Sequence, residues 1–126
     1  MDKIRILVIE DNSVIALVIK YSMMHLDSNI EVMVAGSAEQ GEKLFKEGSW
    51  NMLIVGYQLP GKDGLNMVRD LKPILGSTRW IMISGSTSDE LRLEVKRLGG
   101  YNYLVEPFSL AELKIAVWGA LDLAPA

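Results

Sequence analysis

Five short apolar runs, Ile4–Ile9, Ile30–Ala35, Met52–Val55, Trp80–Ile83 and Tyr101–Val105, alternate along the chain with segments of helical spacing. Each run is too short for a typical helix and is rich in Ile, Val and Met. Near-continuous hydrophobicity over such lengths suits strands buried on both faces of a parallel sheet. Strict alternation of strand and helix implies a three-layer α/β domain with right-handed crossovers. Five strands in 126 residues fit the strand order 2-1-3-4-5. The length also sets a single domain with one proper core over residues 1–126.

The helical segments carry recognisable ends. Ser13 to Leu26 is apolar almost throughout. Ser37 is placed to cap Ala38–Lys46, with Gln40 at the third helical position as in a capping box. Leu65–Leu75 carries Leu65, Val68 and Leu71 on one stripe, and Pro73 is expected to distort or end it. Ser88–Leu98 stops at Gly99-Gly100, a helix C-terminal signal. Ser109 caps Leu110–Leu121, with Glu112 three residues on. The tail from Leu121 to Ala126 leads to a further domain or frays.

Composition excludes several classes of function. A net charge of −3 disfavours direct nucleic-acid binding, which wants a basic face. There is no cysteine, so disulfides and thiolate metal sites are out, as suits a reducing compartment. No apolar run approaches the ~20 residues of a membrane span, and Met1 to Arg5 lacks a signal-peptide core. The expectation is a cytoplasmic protein or domain, with no membrane partner.

In a parallel sheet of this kind, chemistry gathers at the carboxyl ends of the strands. Those ends read Glu10-Asp11, then Gly56 followed by Tyr57-Gln58-Leu59-Pro60-Gly61-Lys62-Asp63-Gly64, then Ser84-Gly85, then Glu106-Pro107-Phe108. Across nearly its whole length the pattern resembles the receiver domain of bacterial two-component response regulators. The resemblance implies a flavodoxin-like (βα)5 fold and a signalling role in a phosphorelay, not an enzyme. It matches Glu10 and Asp11 to the metal-binding acidic pair and Ser84 to the hydroxyl that moves toward the phosphoryl group. Tyr103 matches the switch aromatic, and Pro107 the proline, often cis, that follows a lysine. The implied partners are a histidine kinase, a phosphotransfer domain or an output domain.

Two positions depart from that pattern. Gly56 stands where the family has the phosphoacceptor aspartate, and Glu106 where it has the lysine. Phosphoryl transfer needs a nucleophile, Mg2+ and positive charge. Glycine offers no nucleophile, and a glutamate reverses the charge that would neutralise phosphoryl oxygens. Ser84 and Asp63 are the nearest substitutes, and neither has a positioned electrophilic partner. The chain therefore reads as a pseudo-receiver that acts by protein contact or dimerisation. One alternative is an ordinary receiver inactivated by an Asp-to-Gly change at position 56. Another is a small-ligand or divalent-cation sensor, using Glu10, Asp11 and the backbone carbonyl of Gln58, hard oxygen ligands suited to Mg2+ or Ca2+. The simpler expectation is that no cofactor is required, Glu106 turns to solvent and the pocket holds water.

Binding surfaces are sought on three helices. On the last, Leu110, Leu113, Val117 and Leu121 form the expected core stripe. Ile115 and Trp118 fall off it, on the face of helix 4, strand 5 and helix 5 through which family receivers often dimerise or meet partners. On the fourth helix either Leu91 or Leu93 faces outward. The first helix is apolar on more than one face. It reads first as a well-buried helix with Met gap-fillers, and otherwise as a partner site of the kind that contacts kinases and phosphotransfer domains in the family. His25 is expected as a cation at that helix's C-terminus, Trp50 as cover for a core edge, and Arg92 with Lys96 and Arg97 as a solvated face.

Overall fold

A computed structural model describes residues 3–122. Five parallel strands, β1 (Ile4–Ile9), β2 (Ile30–Ala35), β3 (Met52–Gly56), β4 (Arg79–Ser84) and β5 (Asn102–Val105), form one sheet in the order β2-β1-β3-β4-β5. The helices are α1 (Ser13–Met24), α2 (Ala38–Glu47), α3 (Gly64–Leu75), α4 (Asp89–Arg97) and α5 (Leu110–Leu121). The segment beyond Asp122, read as a linker or frayed end, lies outside the described residues, as do Met1 and Asp2.

Alternate side chains of the central strands feed two cores. Leu7, Leu53, Val55 and Met82 pack with α2, α3 and Val95 of α4 on one face. Ile6, Val8, Ile54, Ile81 and Ile83 pack with α1 and α5 on the other. Burial on both faces explains why these strands are continuously apolar.

The helix ends follow local chemistry. The Ser37 hydroxyl accepts from the Gln40 amide at 3.1 Å. Gln40 Oε1 reaches one residue beyond the cap, accepting from the Gly36 amide at 2.8 Å. Ser109 and Glu112 close a reciprocal capping box. Asn12 caps α1, its side-chain oxygen accepting from Val14 and Ile15. Pro73 does not end α3: it lies in the last turn, where its missing N–H costs one bond, and the helix continues to buried Leu75.

Two expected helix faces are corrected. The buried side of α5 is Leu113, Ala116, Val117 and Ala120, while Leu110 is exposed. On α1 only Ala16, Ile19 and Met23 are buried, and Val14, Leu17, Val18, Tyr21 and Met24 are exposed. On α5 the small Ala116 and Ala120 extend the contact stripe set by Leu113 and Val117 without marking it strongly; on α1 apolar side chains on more than one face leave the buried Ala16, Ile19 and Met23 without contrast.

Candidate strand-end site

The carboxyl ends of β1, β3, β4 and the β5–α5 turn converge on a cavity of about 190 Å3. Glu10, Asp11, Gly56, Gln58, Ser84 and Glu106 all line it, so the pattern read from the sequence is assembled in space. Register explains this. Gly56 is level with Ile83 on β4, and Ser84 is level with Val105 on β5. The Glu106 amide donates to the Ser84 carbonyl at 2.7 Å, which carries Glu106 to the rim beside β4. The Glu106–Pro107 peptide is cis.

Gly56 forms part of the floor. An added Cβ there would lie 3.4 Å from each oxygen of the Glu10 carboxylate and 3.3 Å from the Ile9 carbonyl. Glu10 is only 6% exposed, and one of its carboxylate oxygens accepts from the Asn12 amide at 3.2 Å. Gly64 approaches from α3. A Cβ on it would collide with the Gly56 carbonyl oxygen, so close approach requires glycine at 64. Asp63 caps α3 by accepting from the Asn66 amide.

No Lys, Arg or His is among the residues that line this cavity, and three carboxylates are. Burial, a hydrogen bond with Asp11 and the nearby charges of Glu106 and Asp11 push the Glu10 carboxyl from its ordinary 4.5 up to about 7. Burial first, then the charge of Asp11, raises Glu106 as well. Glu106 does not turn out to solvent as the simpler expectation had it. It stays half-buried because the β5–α5 turn fixes its backbone to β4.

Among the described residues no three Asp, Glu, His or Cys side chains are grouped to hold a metal ion. Asp11 and the exposed Gln58 are at the mouth, while Glu10 is directed inward over Gly56.

On the far side of β4 and β5, Tyr103 is buried and its hydroxyl donates to the Ser86 carbonyl at 2.7 Å. The Ser84 hydroxyl accepts from the Ser86 amide at 3.0 Å, so both residues meet one loop. Arg92 is not simply solvated, as its guanidinium lies 4.9 Å from the Tyr103 ring centroid. Nothing in the spacing of Ser86 or Arg92 signalled these contacts, because both depend on how α4 lies against β5. Ile115 is 66% exposed on this face, whereas Trp118 is half-buried. Leu91 packs against the core, so Leu93 is the outward residue of the pair.

The remaining singled-out residues are structural. His25 Nδ1 is 2.6 Å from the Tyr21 carbonyl at the end of α1. Trp50 is buried, bonded to the Leu44 carbonyl and covered by Arg5 at 4.2 Å. Lys62 bridges Glu42 and Asp70, which raises its pKa.

Residues 6–118 match the response regulator receiver domain family. The chain belongs to that family. A receiver domain from Clostridium thermocellum is 27% identical over 94% of both chains, with a TM-score of 0.84. A CheY-like receiver from Methanospirillum hungatei, at 21% identity and a TM-score of 0.88, supports the fold alone. Among curated relatives, a probable chemotaxis protein CheY of Rhizobium etli is 26% identical over 95% of this chain and 96% of its own length. An uncharacterized transcriptional regulatory protein of Bacillus subtilis, YkoG, is 26% identical over 96% of this chain, but the match spans only 52% of that regulator. The receiver domain thus matches some relatives end to end and about half of others. No helix among its described residues is long and apolar enough to cross a membrane.

Proposed function

We propose that this receiver domain takes up no phosphoryl group at the usual strand-end position and signals by protein contact. The observation that carries the reading is Gly56, buried at the end of β3 on the floor of a cavity lined by Glu10, Asp11 and Glu106 and by no cation. A phosphoryl group entering there would meet carboxylates and find neither a nucleophile nor a charge to neutralise its oxygens. The role needs no cofactor and no catalysis by this chain. Intact mass after incubation with Mg2+ and a small phosphodonor is expected to stay unchanged. Addition of one phosphoryl group to the wild-type chain would overturn the reading.

The contact surfaces in this reading are the exposed face of α1, for a kinase-like or phosphotransfer-like partner, and the α4-β5-α5 face, for self-association. Ile115 is the apolar side chain that stands furthest out on the second face, and Trp118 flanks it. Aromatic anchors of this kind dominate small interfaces. Sedimentation is expected to give a dimer that Ile115→Asp and Trp118→Ala each shift toward monomer. An unchanged mass in both variants removes this face from the reading.

A further inference from the structure

A groove of about 390 Å3 runs between α1 and the turn that leads into α5, lined by Val14, Ile15, Val18, Pro107, Phe108 and Leu110 among others. Val14 is 68% exposed, and Leu17, Val18 and Tyr21 continue the apolar surface along the helix. Isolated exposed apolar residues are ordinary, but a contiguous stripe of them marks an interaction surface. One end of the groove joins the strand-end cavity, since Ile15 and Glu106 line both. The surface is therefore apolar along α1 and acidic at its end, and no Lys, Arg or His is among the residues lining either part.

We propose that this surface receives an amphipathic helix of a partner protein, whose apolar stripe lies on α1 and whose Lys or Arg enters the cavity above Gly56. The partner then supplies in trans the positive charge that Glu106 denies the site in cis. The inference rests on the reading of this chain as a contact domain and names the chemistry of its partner. Charge complementarity selects that chemistry. Buried Glu10 and half-buried Glu106, with no cation among the lining residues, gain most from an incoming ammonium or guanidinium that hydrogen-bonds them. Gly56 leaves the floor without a side chain, and about 190 Å3 admits such a head group. The stripe from Val14 to Met24 extends about 15 Å along the helix axis, enough for i, i+3, i+4 and i+7 anchors of a docked helix. A second copy of this chain is the poorer occupant. Isologous pairing through this face sets the surface against itself, and none of the residues lining it is Lys, Arg or His.

The probe is a phage-displayed library of single-helix peptides with randomised positions, selected on the whole chain. The expected winners carry an apolar stripe and one Lys or Arg near its end, and perturb amides of α1 and of Glu106. Glu106→Lys, Val18→Glu and replacement of the peptide cation by norleucine are each expected to weaken binding about tenfold or more. Val18 is exposed and Glu106 is at a cavity rim, and an unchanged amide spectrum elsewhere establishes that both variants are folded. Absence of binders, winners without a cation, binding indifferent to Glu106→Lys, or an α1-mediated dimer lost in Val18→Glu would each overturn the proposal. A failure here with no phosphoryl uptake leaves the contact-domain reading standing, whereas phosphoryl uptake by the wild type defeats that reading whatever the peptides do.

Discussion

Gly56→Asp alone is expected to leave the protein unable to take a phosphoryl group, while Gly56→Asp combined with Glu106→Lys gains one from a small phosphodonor in Mg2+. The single change restores a nucleophile but puts a fourth carboxylate into a cavity that already holds Glu10, Asp11 and Glu106. Its Cβ would be 3.4 Å from the Glu10 oxygens, so the new carboxyl and Glu10 raise each other's pKa. At neutral pH the single variant is expected to lose about 1–2 kcal/mol of stability through like-charge crowding. Lysine at 106 reverses the sign at the rim, where the Glu106 amide is already fixed to the Ser84 carbonyl. It recovers that stability and supplies the charge that phosphoryl oxygens need. Intact mass and thermal melting read both effects. Equal uptake by the single and the double variant would remove Glu106 from the account and leave Gly56 as its sole cause.

The second large effect is a fall in stability as pH rises from about 4.5 through about 7. Glu10 is raised to about 7 in the folded protein, chiefly by burial, and titrates near its ordinary value when unfolded. Between these values the folded state binds the extra proton, so the slope of unfolding free energy against pH is negative. The associated stability is fully present below the unfolded value and lost once pH passes the folded one. An isolated shift of this size is worth about 3 kcal/mol; water at the cavity mouth reduces the expected loss to about 2 kcal/mol. Glu10→Gln should flatten the profile. Glu106→Gln should leave most of the slope, because burial and the hydrogen bond with Asp11 outrank the charge of Glu106 among the causes. Chemical denaturation at several pH values measures this, and a flat wild-type profile would refute it.

Period and alternation make the sheet legible in the sequence. Runs buried on both faces carry an unbroken apolar signal, and the strand ends gather Glu10, Asp11, Gly56, Ser84 and Glu106 by register alone. The helices are harder to read: α1 is apolar on more than one face, which hides that only Ala16, Ile19 and Met23 are buried, and on α5 the small Ala116 and Ala120 join the contact stripe while Leu110 is exposed. Spacing also did not reveal why position 64 needs glycine, since the obstacle is the backbone oxygen of a residue on another element. Placement of Glu106 at the cavity rim likewise depends on one backbone hydrogen bond to β4. Sequence pattern reports which residues reach an end of the sheet. Which of them turn inward is decided by contacts between elements distant in the chain.

The proposed function requires that the strand-end cavity takes up no phosphoryl group while the frame around it persists. Amide NMR of the wild-type chain, titrated with Mg2+ and then with beryllofluoride, tests it most directly. No saturable shift is expected at Ser84, Ser86 or Tyr103 on addition of the phosphoryl mimic. Saturable, Mg2+-dependent shifts at those three residues would contradict it.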